Sequence, residues 1–143
     1  PGGSVQSGVE LIEYLRSLNR PVHTVTLAAA SMGFQIIQHL DKRYVFEYSI
    51  LMSHRARGGI EGEFGGDKNS QLYRRYQFWE KRISDMDAQT VRRTNGKQTM
   101  ESYTKDYENE LWIGGKDAVA KGYADKVVPV VCDKSLSGTR TEE

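Results

Sequence analysis

Cysteine is nearly absent from this chain. The single thiol, Cys132, has no partner for an internal disulfide, and no CxxC or Cys/His spacing surrounds it, so neither a disulfide framework nor a structural metal site is expected. A reducing compartment, and hence a cytoplasmic location, is the expectation that follows. Long apolar runs are missing too: nothing approaches the roughly 18 residues that cross a bilayer, and no charged-then-apolar leader opens the sequence. An excess of one charge is also lacking. The formal net charge is +1 and the two signs are interspersed, which argues against nucleic acid, a membrane surface or a polyanionic partner. There is no internal repeat. What remains is an ordinary composition, 143 residues with 38% hydrophobic and 27% charged, enough for one compact domain with a buried core. There is no initiator Met; the chain opens abruptly on Pro1-Gly2-Gly3, so an N-terminal part of the fold is expected upstream.

The patterning is that of an α/β protein. Val5, Val9, Ile12, Leu15 and Leu18 recur at threes and fours and predict a helix from about Val5 to Leu18. Val22 to Leu27 suits a strand, which feeds through Ala28-Ala29-Ala30-Ser31-Met32-Gly33 into a short helix carrying Ile36, Ile37 and Leu40. Tyr44 to Ser53 is β-rich and mostly apolar, as in a strand buried on both faces. Strand, helix, strand is the α/β alternation. Arg57 to Gly66 holds too many glycines for a helix and reads as an irregular or edge-strand segment. Beyond it, Leu72, Tyr76, Trp79, Ile83 and Met86 form a heptad-like seam on a long charged helix that needs an apolar partner. Asn95-Gly96 breaks that helix. A helix over 99–107, a short one over 116–121 closed by Gly122, and a strand over 127–131 complete a domain of residues 1–131, followed by a polar tail, 132–143.

Three segments carry candidate chemistry. Ser31 lies between a strand and a helix, where a sharp turn can present its hydroxyl and the first free N–H groups of the helix, starting with Met32, can hold an oxyanion. A serine there is also an ordinary N-cap, and taken alone the motif is weak. His54, at the end of the buried strand, can take a proton from that hydroxyl, or it can be a half-buried histidine bonded to a carbonyl. Pro1-Gly2-Gly3-Ser4-Val5 can be a turn and helix cap, or a main-chain edge that approaches a ligand closely and offers it an N–H. His23 and His39 fall within secondary structure and have no partner motif.

The order of these segments is more specific than any one of them. Pro1-Gly2-Gly3-Ser4-Val5 with Gly8, Ala29-Ala30-Ser31-Met32-Gly33, and Leu51-Met52-Ser53-His54 with Gly58-Gly59 behind resemble the proteolytic subunit of the Clp protease. Lys105 to Trp112, then Ala118 and Gly122-Tyr123-Ala124-Asp125-Lys126-Val127, are similar to that family's C-terminal segments, so the resemblance runs from about Pro1 to Val131. It implies a fold of ββα units wound in a spiral, shared with crotonases, with a helix-containing handle corresponding to Arg57 to Arg93. It implies Ser31 as nucleophile, His54 as general base, Gly3 and Met32 as oxyanion donors, and a peptide paired between Gly2, Ser4 and Val5 on one side and Arg55 and Ala56 on the other. It also implies a homo-oligomeric ring, a peptide or unfolded-protein substrate, an AAA+ unfoldase or capsid proteins as partners, and no metal or organic cofactor.

The sequence departs from the family pattern at informative places. Glu110 stands at the family's third catalytic carboxylate, usually aspartate, with Asp106 as the alternative; Leu27 replaces a usual glycine, and Arg55-Ala56-Arg57 replaces the residues that normally follow the histidine. These departures point to a divergent branch, such as a phage-type head-maturation protease or a bacterial paralogue. They also leave two rival readings: a ring-forming relative that has lost turnover, and an acyl-CoA enzyme of the crotonase fold.

Overall fold

The computed structural model describes residues 1–63 and 70–131; the tail 132–143, with Cys132, and part of the glycine-rich segment lie outside the described residues. In chain order the elements are α1 (Val5–Ser17), β1 (His23–Ala30), α2 (Met32–Gln38), β2 (Lys42–Ser53), α3 (Gln71–Arg93), α4 (Met100–Glu108), β3 (Leu111–Gly114), α5 (Gly115–Lys121) and β4 (Lys126–Val127).

The long strand β2 organises the sheet. β1 runs parallel along one edge, with His23 opposite Lys42 and Ala30 opposite Met52, and the register shifts between Thr26 and Ala28. The other edge is shared. β4 pairs in parallel with the start of β2, at Tyr44 and Val45, whereas β3 pairs antiparallel with its end, from Ile50 to Ser53. The sheet is therefore mostly parallel and wrapped by helices, and the α/β expectation holds.

One face of this sheet builds the core. Ala29, Val45 and Leu51 pack with Phe34 and Ile37 of α2, Tyr103 of α4, Ala118 of α5, and Tyr123. A second cluster forms where Ile12 of α1, Met32 of α2 and Met86 of α3 meet, and it fixes α2 from the other side. Gly8 is needed in that second cluster, because a Cβ there would run into the Met32 side chain.

Four expectations are corrected. β1 continues past Leu27 through the three alanines, which have weak strand propensity of their own and are held by pairing with Ile50, Leu51 and Met52. β3 was not anticipated as a strand; its four residues are extended because the end of β2 offers them a ladder. The expected strand over 127–131 is only Lys126–Val127, since Pro129 has no N–H to give a ladder. Among the described residues, the α3 seam meets a buried apolar cluster of its own domain only at its Met86 end. Met86 is buried against Ile12 and Met32 of its own domain, whereas Tyr76 is 51% exposed.

Candidate active site

β1 ends at Ala30 and α2 begins at Met32, so one residue must reverse the chain between them. That residue is Ser31, with φ 56° and ψ −121°, a left-handed conformation that side chains rarely adopt. Strain of this kind costs about 1–3 kcal/mol and persists only where the surroundings impose it. Those surroundings are visible: the Ser31 N–H donates to Met52 O at 2.9 Å, and Gly2 lies against the turn so closely that a Cβ would sit 2.5 Å from Ser31 Cβ and 2.9 Å from both Ala30 O and Met32 N. Gly2 thus has no room for any side chain.

Ser31 occupies the N-cap position of α2, yet its hydroxyl caps nothing. Instead Oγ lies 2.7 Å from Nε2 of His54. By contrast, Ser4, Ser70 and Thr99 each cap their helix through the side chain. The geometry therefore favours a hydroxyl presented to an imidazole over a helix cap. His54 follows directly on Ser53, whose pairing with Leu111 holds the end of β2. Its other ring nitrogen, Nδ1, is buried and makes no hydrogen bond among the described residues.

Ser31 and His54 open into a cavity of about 240 Å³ that Gly3, Met32 and Gln35 also line. Val5, Ile83 and Met86 give it an apolar wall. Gly3 has φ 144° and open space around its α-carbon, so its main chain borders the cavity without obstruction. Met32 is the first residue of α2, where N–H groups have no partner within the helix. Chemically, a hydroxyl on an imidazole beside two main-chain segments suits attack on a carbonyl and stabilisation of the resulting oxyanion.

The third position is a correction. Glu110 does not bond to His54; its carboxylate accepts from Arg57 at 3.3 Å and from Trp112 Nε1 at 3.3 Å. The cause is local. Glu110 has φ 61° at the turn from α4 into β3, and two arginines after the histidine reach across to that turn, Arg55 to Glu108 at 2.8 Å and Arg57 to Glu110. Two departures from the family pattern, Glu110 and Arg57, are thus partners of each other. Asp106 is committed as well. Lys121 Nζ donates to both of its oxygens at 2.7 Å, and Tyr123 OH donates at 3.1 Å.

Of the segments expected to hold a peptide, Gly2 lies against Ser31, Gly3, Val5 and Ala56 line the cavity, Ser4 caps α1, and Arg55 follows His54 in the chain. His39 is accounted for by structure: its Nδ1 is 2.7 Å from Gln35 O, and burial lowers its pKa. His23 packs edge-on against Tyr44.

A polar network behind the site was not anticipated. Gln35 Nε2 donates to Tyr103 OH at 3.0 Å and to Asp87 Oδ1 at 3.4 Å, while Thr90 Oγ1 donates to Gln35 Oε1 at 2.9 Å. Tyr103 OH also lies 3.2 Å from Ser53 Oγ. Burial pushes the Asp87 carboxyl up to about 6, against the opposing influence of the Tyr103 and Tyr107 hydroxyls and Gln35. Two signals were present: Gln35 lies one helical turn after Ser31, and Asp87 flanks Met86 in the seam.

The comparisons agree with this architecture. The family model described as Clp protease matches residues 1–130. An ATP-dependent Clp protease proteolytic subunit from Pleurastrum terricola is 30% identical over 130 residues, covering 89% of this chain and 63% of that protein. The ATP-dependent Clp protease proteolytic subunit 2 of Chlamydia trachomatis serovar D is 30% identical over 131 residues, with 90% and 61% covered. The subunit 2 of Thermobifida fusca is 30% identical over 134 residues, again with 90% and 61% covered. The chain therefore spans rather less than two thirds of the length of these relatives. With its α/β sheet and a Clp protease match along nearly its whole length, this chain belongs to the Clp protease family.

Proposed function

We propose that this chain carries the catalytic centre of a serine endopeptidase that works by acyl-enzyme chemistry. One observation carries the reading: the Ser31 hydroxyl leaves its helix uncapped, on a strained backbone, and lies 2.7 Å from His54 Nε2. An extended peptide would lie between Gly3–Val5 and Arg55–Gly59, pairing as an added strand. Ser31 Oγ attacks the scissile carbonyl carbon as His54 Nε2 accepts the hydroxyl proton. The carbonyl oxygen becomes an oxyanion beside the N–H groups of Gly3 and Met32. Collapse expels the amine, which takes the proton from His54 and leaves an ester on Ser31. Water then attacks that ester, giving a proton to His54, and Ser31 regains its hydrogen as the acid product departs.

Because the pair acts as a unit, Ser31→Ala and His54→Ala should each abolish hydrolysis of an unstructured protein such as casein with an unchanged melting temperature. The double variant should be scarcely worse than either single one. Unchanged hydrolysis in Ser31→Ala ends the reading.

A second reading has one observation in its favour. Among the described residues Nδ1 of His54 has no partner, which leaves the imidazolium without a carboxylate, as in a relative that keeps the assembly surface and has lost turnover. The same hydrolysis assay separates the two.

The working unit in this proposal is a homo-oligomeric ring. Val25, Ile50 and Trp112 are 63%, 53% and 59% exposed on the sheet face away from the core, and an apolar face of that kind supports assembly. The relatives' names call them ATP-dependent, which supports a separate ATP-driven unfoldase as partner. Glu110 and the Arg55-Ala56-Arg57 run support a divergent, phage-type or paralogous branch.

A further inference from the structure

A second and larger cavity, of about 730 Å³, opens beside the catalytic one and shares Val5, Ala56, Arg57 and Ile83 with it. An extended peptide held at Ser31 would pass this opening, so its lining bears on which side chains the site accepts. Three aromatic rings, Tyr76, Trp79 and Tyr107, and two carboxylates, Glu80 and Asp87, contribute to that lining. The single basic side chain among the lining residues, Arg57, is turned to Glu110.

Neither carboxylate has a cation of its own among the described residues. Among the described residues, Asp87 accepts a long hydrogen bond, 3.4 Å, from Gln35 and feels the Tyr103 and Tyr107 hydroxyls, and Glu80 accepts one from Tyr76 OH at 3.1 Å, but all of these partners are neutral; no Lys or Arg lies within ion-pairing distance of either carboxylate. Aromatic faces and unpaired carboxylates around one opening form the environment that stabilises an alkylammonium or guanidinium group: the rings attract the cation, cover its methylene stem, and the carboxylates supply the counter-charge.

We propose that this cavity is a substrate subsite that selects a basic side chain, lysine or arginine, near the scissile bond, with Asp87 as its principal counter-charge. The inference deepens the peptidase reading and rests on it. Burial of Asp87 supports the assignment, because its carboxylate pays a desolvation penalty that a bound cation would offset. Gln35 ties the subsite to the reacting groups, since it donates to Asp87 and lines the catalytic cavity.

The test is a binding comparison that requires no turnover. Fluorescein-labelled hexa-alanine peptides carrying one lysine at each position in turn, and a matched norleucine series, are titrated into the Ser31→Ala chain by fluorescence anisotropy. At one position, or two adjacent ones, lysine should bind at least about tenfold more tightly than norleucine. Asp87→Asn in the same background should remove that preference and leave norleucine binding within twofold. Glu80→Gln, at an exposed position where folding is not at stake, should weaken lysine binding about threefold. A chain without lysine preference at any position overturns the proposal, as does a preference that survives both variants. If Asp87→Asn melts too early to be read, the unsubstituted preference and the Glu80→Gln effect decide the matter. Failure of the peptidase reading is seen separately, as hydrolysis that Ser31→Ala leaves unchanged.

Discussion

A strained Ser31 and a closely packed Gly2 depend on each other. The φ of 56° aims Oγ at His54, and only a residue without a Cβ can approach the turn that holds it there. Both residues were legible in the sequence, because a small-residue run ending in a serine and a glycine pair next to a helix start are chain-local features. The orientation of Glu110 was not. Its place in the family pattern points to the imidazole, but the side chain answers to a turn with φ 61° and to a guanidinium 53 residues away, neither of which periodicity records. The ion pair is exposed on both sides and contributes at most about 1 kcal/mol, so it orients Glu110 without making the arrangement permanent. Since the carboxylate does not touch His54, Glu110→Gln is expected to keep kcat within about threefold of the parent chain. In a triad whose carboxylate orients the imidazole, the same neutralisation costs up to ~10⁴. A loss of that size in steady-state kinetics would mean that Glu110 leaves Arg57 for His54 during turnover.

The elements are joined by one strong polar contact far from the site. Arg43, at the start of β2, is 1% exposed and donates to Asp125 Oδ1 at 2.7 Å, to Gln38 Oε1 at 2.5 Å and to Arg93 O at 3.1 Å. It thereby fastens β2, α2, the end of α3 and the turn before β4 to each other. Burial would raise the Asp125 carboxyl, but hydrogen bonds from the Arg43 side chain and main chain, with the charges of Arg43 and Arg93, outweigh it and hold the pKa below the ordinary value. Asp125→Ala strands a buried guanidinium and should cost about 3–5 kcal/mol in urea unfolding. The folded pKa is depressed, so the ionised carboxylate stabilises the fold above its unfolded value of about 3.9 and loses that contribution as the pH falls through the folded value. The gap between parent and variant should therefore be constant at neutral pH and narrow in acid. A gap that widens in acid contradicts this sign. Helices α1, α3, α4 and α5 were legible within a residue or two from apolar spacing, caps and the glycine at 122, whereas β3 and β4 were not, because strand pairing is decided by a partner distant in sequence.

Across the whole molecule, family membership and the meeting of Ser31 with His54 were readable as an ordered set of short motifs. The network of Gln35, Asp87 and Tyr103 was not, since those residues come from three helices whose packing no motif records. No helix among the described residues is long and apolar enough to cross a membrane. The open sheet face belongs to the proposed assembly. The proposed chemistry, however, rests on two side chains within the chain itself, and one reagent examines both. Incubation with a fluorophosphonate probe, followed by intact mass and peptide mapping, should show a single adduct on Ser31. It should form no adduct in Ser31→Ala, and in His54→Ala it should react at least about a hundredfold more slowly, in keeping with what a positioned base contributes. An unlabelled Ser31 in the parent chain, or labelling whose rate is indifferent to His54, would contradict the account.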